Sequence, residues 1–243
     1  MSSTQAMRKN IFFILLIGFI VVFLSSSIKN TFQVFFIQMS DSFGQSRGEF
    51  AVAAAVFMLV FGIASPIVGL ISDRIGPKRT ILFGLLVSGL AFVGCALIDS
   101  FVAFVILYGV FAAFGLTAMS YVPMGILVDQ SFSEKRKGLA LGTLTNGAAI
   151  GFMVLSPVWV YTQNYFAWNQ VFLFLGLVFL LPLFILVWRF LPEDTAKADS
   201  QNKPLPQVSL QEKLALVFST RPFYALMFGF MGCGVTMAFI DIH

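Results

Sequence analysis

Lys29 stands inside a long apolar run, in the stretch Lys29-Asn30-Thr31-Phe32-Gln33-Val34-Phe35. A charge within a membrane span costs about 2.5–3.5 kcal/mol on insertion scales, so it normally faces an aqueous cavity, where an anion is the natural ligand of an ammonium. The alternative is snorkelling: Lys29 lies about 18 residues into its span, where the long stem can carry the charge to the outer headgroups. Residue type and position leave these two readings level. Gln33 follows Lys29 by four residues, so it shares the same helical face and offers an amide to a substrate. Tyr121 offers a hydroxyl to a carboxylate, or else packs or anchors at an interface as such tyrosines do. Asn146 offers an amide to a cavity, four residues beyond Gly142. Asp241 and His243 pair a carboxylate with an imidazole, which inside a helix can relay protons; so close to the last residue, the outer surface is the competing location for both.

The elements that must position these residues are membrane helices. The 243-residue chain is 58% apolar and 11% charged, against roughly 25% charged for a soluble domain. A span of a hydrocarbon core about 30 Å thick takes about 20 residues, and seven stretches qualify: Ile11 to Ile37, Phe50 to Ile71, Thr80 to Leu97, Phe101 to Val128, Leu139 to Tyr161, Val171 to Phe190, and Phe223 to His243. Pro66 and Pro157 fall inside the second and fifth spans, each after a serine, as an internal echo of an inverted three-plus-three repeat would require. Between the sixth and seventh spans, Ser209 and Glu212 have the spacing of a capping box and predict a short surface helix over Leu210 to Phe218. The expected organisation is a six-helix half over residues 1–190, a cytoplasmic linker with a short helix over 191–221, and a seventh helix over 222–243.

Thirteen of the 15 basic residues fall on one side of this arrangement, leaving Lys29 and Arg47. Basic loops stay in the cytoplasm, so the N-terminus is expected there, and the net charge of +4 reflects this bias and gives no reason to expect a nucleic-acid partner. The expected surroundings are a lipid bilayer, the cell or inner membrane. A secretory signal ending near Ser25 to Ser27 is the rival for the first span, but apolar sequence resumes past Asn30. Cys95 and Cys233 both lie in apolar segments with no C-x-x-C and read as packing residues. An intramembrane enzyme finds no support: one histidine excludes H-E-x-x-H, and G-x-S-x-G does not occur. No cofactor or metal is expected. A seven-helix receptor fits the count of spans but not the long interior linker.

Gly69, Asp73, Arg74, Gly76, Pro77, Lys78 and Arg79 make a short charged turn between the second and third spans. Their spacing resembles the G-x-x-x-D-R-x-G-R-K signature loop of the major facilitator superfamily, in the place where that family carries it. Pro77 departs from the pattern's first basic residue. Proline costs nothing at the first turn of a helix, where its missing N–H has no partner anyway, so the third helix is expected to start there. The resemblance implies an all-α membrane fold, an N-terminal six-helix bundle with the beginning of a second half whose remaining helices are absent from this sequence. It also implies a conformational latch built on Asp73, with Gly76 allowing the tight turn.

Two further stretches resemble the monocarboxylate and oxalate/formate carrier branch of that superfamily. Lys29 to Phe35 is similar to R-x-S-F-G-x-F, where the basic residue points into the cavity, and Gln33 replaces a small residue. Phe132 to Gly142, continuing to Gly151, is similar to F-x-K-R-R-x-L-A-x-G followed by A-G-x-x-x-G, with one extra residue before Lys135, Arg136 and Lys137. Gly138/Gly142 and Gly147/Gly151 are small-x-x-x-small pairs that allow close helix approach. The arginine of many proton-linked drug exporters has no counterpart at Leu107-Tyr108-Gly109. The implied function is proton-coupled secondary transport of a small organic anion by alternating access, with Lys29, Gln33, Tyr121 and Asn146 at the substrate. The competing reading within the fold is efflux of amphipathic drugs or metabolites. Most of the 30 phenylalanines are expected on lipid faces.

Overall fold

The structure is a computed structural model that describes residues 2–191, 219–220, 223–225, 227–229 and 231–232, without the side chains of residues 2–11, Ser27, Lys29, Asn30 and Glu134. The expected linker helix, most of the seventh span, Cys233, Asp241 and His243 therefore lie outside the described residues. The chain divides into two units, Met1–Ala196 and Lys197–His243, and the fold below is that of the first.

Six helices among the described residues are long and apolar enough to cross a membrane: Phe12–Ser42, Arg47–Ile75, Pro77–Leu97, Phe101–Ser131, Lys135–Thr162 and Trp168–Phe190. The first is α1 (Ser2–Ser42), which runs five residues beyond the apolar stretch before turning at Gly44. The second, α2 (Arg47–Ile75), begins three residues before its apolar run because Ser46 and Glu49 form a capping box. The Glu49 N–H donates to Ser46 Oγ at 3.3 Å and the Ser46 N–H to Glu49 Oε2 at 3.0 Å. Two N–H groups that a helix start leaves orphaned are thereby satisfied. Pro66 lies inside α2. The third, α3 (Pro77–Leu97), starts at the expected proline.

The fourth span is discontinuous. It runs through α4 (Phe101–Ile106), a π-helical turn at Leu107–Ala112, α5 (Ala113–Thr117), a break at residues 118–120, and α6 (Tyr121–Ser131). At the break the N–H groups of Met119 and Ser120 bond back to the carbonyls of Leu116 and Thr117, at 3.1 and 3.0 Å. The fifth span is α7 (Glu134–Thr162), with Pro157 inside it. The sixth is α8 (Trp168–Val178), a second π-helical turn at Phe179–Leu183, and α9 (Phe184–Phe190). Pro182 lies in that turn and has no N–H for the regular ladder, which accounts for the widened helix.

Helix pairs are brought together by small residues. A Cβ built on Gly151 would lie 2.4 Å from the Phe23 carbonyl oxygen, and one on Gly147 3.2 Å from that of Phe19. Both glycines of the second pair therefore let α7 touch the backbone of α1. Contacts at Gly18–Leu144, Phe19–Gly147 and Phe23–Gly151 rise together in number, so α1 and α7 run parallel. The first pair differs from expectation: nothing lies within 4 Å of a Cβ at Gly138 or Gly142. Across α3, Gly84 meets Gly115 and Gly89 meets Gly176 in the same close manner.

Among the described residues nine phenylalanines are buried in the bundle, a minority of the 30. Tyr108 stacks on Phe32 and on Phe57, with ring centroids 4.7 and 4.9 Å apart. Phe32 stacks in turn on Phe50 at 5.6 Å, and Trp168 meets Phe104 edge to face at 5.9 Å. Phe32, Phe50, Phe57, Phe92, Phe104, Tyr108, Phe172 and Phe179 are all buried. Between helices, where lipid tails are as apolar as leucine, van der Waals packing drives association, and rigid rings supply it over large areas. Cys95 is buried with them, in keeping with a packing role. At one end of the bundle Trp168 Nε1 donates to Ser42 Oγ at 2.9 Å, and Gln38 Nε2 to the Gln163 carbonyl at 3.2 Å.

Candidate functional site

The break in the fourth span opens onto a cleft of about 210 Å³. Its walls come from three spans: Val22, Ser25 and Ser26 of α1, Phe61 and Ser65 of α2, and Leu116, Ser120, Tyr121 and Val122 at the break. Irregular backbone at membrane depth persists only where it is buried in protein or lines a cavity, and this break does the latter. Ser120 begins α6 as its N-cap, which places the side chain of Tyr121 at the helix start and in the cleft wall. Tyr121 is 47% exposed and shares the lining of the cleft with Ser26.

Two of the serines are committed to their own helices. Ser65 Oγ donates to the Phe61 carbonyl at 2.8 Å, and Ser25 Oγ to that of Val22 at 3.3 Å. A hydroxyl bonded back along its helix needs no water, which lets it sit in an apolar span.

Of the four substrate candidates, Tyr121 lines the cleft. Lys29 lies in α1 one helical turn beyond Ser25 and Ser26; its side chain is outside the described part. Gln33 is exposed on α1, and Asn146 is exposed on α7. Neither is among the residues that line the cleft. The serines were missed from sequence, although their grouping as Ser25-Ser26-Ser27 next to Lys29 was visible there.

The charged turn is built as its residue types demand. Gly76 has φ 94° and ψ 155°, a region essentially restricted to glycine. Its N–H closes α2 on the Ser72 carbonyl at 2.9 Å, and Pro77 opens α3 directly. Gly69 faces α6, where a Cβ would meet Val122 at 3.5 Å. Asp73, Arg74 and Arg79 are exposed, whereas Lys78 is only 9% exposed. Its ammonium donates to the Leu191 carbonyl at 2.7 Å. Nearby in sequence to the second basic cluster, Lys137 pairs with Asp129 across the turn between α6 and α7. Among the described residues no group of three or more His, Cys, Asp or Glu could hold a metal ion.

A bundle of six membrane-length helices with a discontinuous fourth span, a largely apolar cleft dotted with serines at its break and a glycine-proline turn between the second and third spans defines a multi-span membrane protein of the facilitator type. Residues 15–242 match the profile of the Major Facilitator Superfamily, and the chain belongs to that family. It is 29% identical over 237 residues to the uncharacterized transporter YcxA of Bacillus subtilis, an alignment covering 95% of this chain and 56% of the relative. It is 30% identical over 142 residues to human monocarboxylate transporter 14, covering 58% of this chain and 28% of that protein. The chain thus spans about half the length of the Bacillus protein. In fold it matches a bacterial homolog of the human lysosomal transporter Spinster, solved inward-facing and unoccupied, with a TM-score of 0.63 and 16% identity over 76% of this chain and 44% of that one.

Proposed function

We propose that this chain is part of a secondary transporter that moves a small organic anion, of monocarboxylate type, by alternating access coupled to protons. The observation that carries the reading is Lys29, a basic residue within the first span, one turn along α1 from a cleft lined by hydroxyls. Similarity to proteins named monocarboxylate transporters supports the anion. In this reading Lys29 attracts the carboxylate, Tyr121 orients it from the cleft, and Gln33 and Asn146 contribute amides from α1 and α7. The turn from Gly69 to Arg79 stabilises one access state through Asp73, with the N-terminus in the cytoplasm and the rest of the transporter supplying the second half. Asp241 and His243 are the candidate proton relay.

Efflux of amphipathic drugs has less behind it. The buried aromatic rings are packed on one another, and the ammonium of Lys29 within the first span opposes a cationic drug.

The test is uptake of radiolabelled pentanoate by the full-length protein in proteoliposomes. Lys29→Gln is expected to abolish uptake, and Lys29→Arg, which keeps the charge and changes its geometry, to retain part of it. Uptake unaffected by either change would mean that Lys29 serves only the membrane interface.

A further inference from the structure

The first and sixth spans meet at the end of the bundle where α1 enters the membrane and α9 leaves it. Phe12 opens the apolar part of α1 and Phe190 closes the sixth span, so both stand at the limit of the hydrocarbon. Phe13 stacks on Phe190 with ring centroids 5.7 Å apart, and Phe12 meets Phe13 edge to face at 6.2 Å. All three rings are exposed. They bridge two helices and still face outward.

Arg189 stands beside this patch, its guanidinium 5.9 Å from the centroid of the Phe190 ring. The side chain is exposed, and among the described residues it has no anionic partner. Two lysines at the same end of the bundle differ in this: Lys78 donates to the Leu191 carbonyl and Lys137 pairs with Asp129. Arg8 and Lys9 precede Phe12 and Phe13 by four residues on α1, which places each on the face of its phenylalanine. Toward the membrane centre the surface continues through exposed Leu16 and Ile185, the latter one turn before Arg189 on the same face. Basic residues gather at span ends through the positive-inside bias alone, and aromatic belts form at any interface. The groove adds to that bias an unpaired guanidinium held against a ring stack that joins two spans.

We propose that the groove between the start of α1 and the end of α9 binds an anionic phospholipid, its phosphate on Arg189 and an acyl chain along Leu16 and Ile185. The guanidinium is a planar fork of donors that matches phosphate geometry. A zwitterionic headgroup brings its own cation, which Arg189 and the basic start of α1 oppose, so the groove selects a net negative lipid. With the N-terminus in the cytoplasm, as proposed above, the groove opens to the leaflet that carries anionic lipid.

The test is native mass spectrometry of the full-length protein in detergent, titrated with palmitoyl-oleoyl phosphatidylglycerol and with phosphatidylcholine of the same chains. The first phosphatidylglycerol is expected to bind about tenfold more tightly than the first phosphatidylcholine. Arg189→Gln should lower that preference about fivefold, the share of one cation near a charged headgroup. Arg189→Met keeps the aliphatic stem and should do the same, which serves if the glutamine variant does not fold. Arg136→Gln removes an exposed arginine at the start of α7, outside the groove, and should leave the preference unchanged. Equal binding of the two lipids by the unaltered protein, or a preference that survives both Arg189 variants, overturns the site. A loss as large in Arg136→Gln as in the Arg189 variants also overturns it, since diffuse surface charge then accounts for the binding. Pentanoate uptake plays no part in this readout, so the organic-anion reading stands or falls separately.

Discussion

The ammonium of Lys78 donates at 2.7 Å to the carbonyl of Leu191, fastening the first turn of α3 to the residue that ends α9. A helix leaves its last carbonyls without partners, and a lysine brought from a neighbouring span satisfies one of them. Because Lys78 is almost fully buried, the bond works in an environment where water competes poorly. In the family's signature turn this residue is therefore also a structural tie between the third and sixth spans.

Lys78→Met preserves the aliphatic stem and deletes the donor. Hydrogen bonds to charged groups contribute about 1.5–3 kcal/mol, and a loss of that order is expected in the unfolding of the detergent-solubilised protein. Lys78→Arg should lose less. A melting transition unmoved by the methionine variant would show that the bond adds nothing.

Gly151→Ala sets a methyl group 2.4 Å from the Phe23 carbonyl oxygen, which forces α1 and α7 apart. Overpacking of this kind costs about 1–3 kcal/mol. Gly138→Ala meets open space and replaces a poor helix former with the best one, so it should be neutral or stabilising by up to about 1 kcal/mol. Thermal stability of the two variants measured side by side checks the contrast; equal effects would contradict the close approach.

Asp73 is exposed at the end of α2 and lines no part of the cleft. Asp73→Asn in the full-length protein is expected to leave membrane insertion and substrate affinity intact and to slow turnover, since it shifts the balance of access states and not the binding contacts. Initial rates of uptake at matched protein levels, with affinity measured in parallel, check this. Normal turnover would remove Asp73 from any latch.

Much of the bundle was legible in the sequence because the bilayer imposes a length and a polarity on every crossing segment. Pro77 announced the start of α3, and Gly147/Gly151 announced a close contact. The same spacing at Gly138/Gly142 found no partner, because small residues permit approach and only a facing helix makes it. The start of α2 was misplaced by three residues since its capping box is polar and adds nothing to hydropathy. The break before Tyr121 left one mark in the sequence, Pro123 in the first turn of α6. The cleft was less legible still. Ser65 looks like an isolated polar residue in an apolar helix and Ser25 like one of a run of three, and their convergence on one cleft belongs to the tertiary structure alone.

The parallel pairing of α1 with α7 has a consequence for synthesis. Phe23 emerges from the ribosome roughly 130 residues before Gly151, and at 5–20 residues per second that is an interval of about 6–26 s. Lipid relaxation is far quicker. For all of that time the first span lies in the membrane without the glycine-lined groove that will cover it, so lipid or the insertion machinery must occupy its face and then be displaced. The bundle is completed by exchange of a temporary neighbour for a permanent one, and the fifth span sets when that exchange begins.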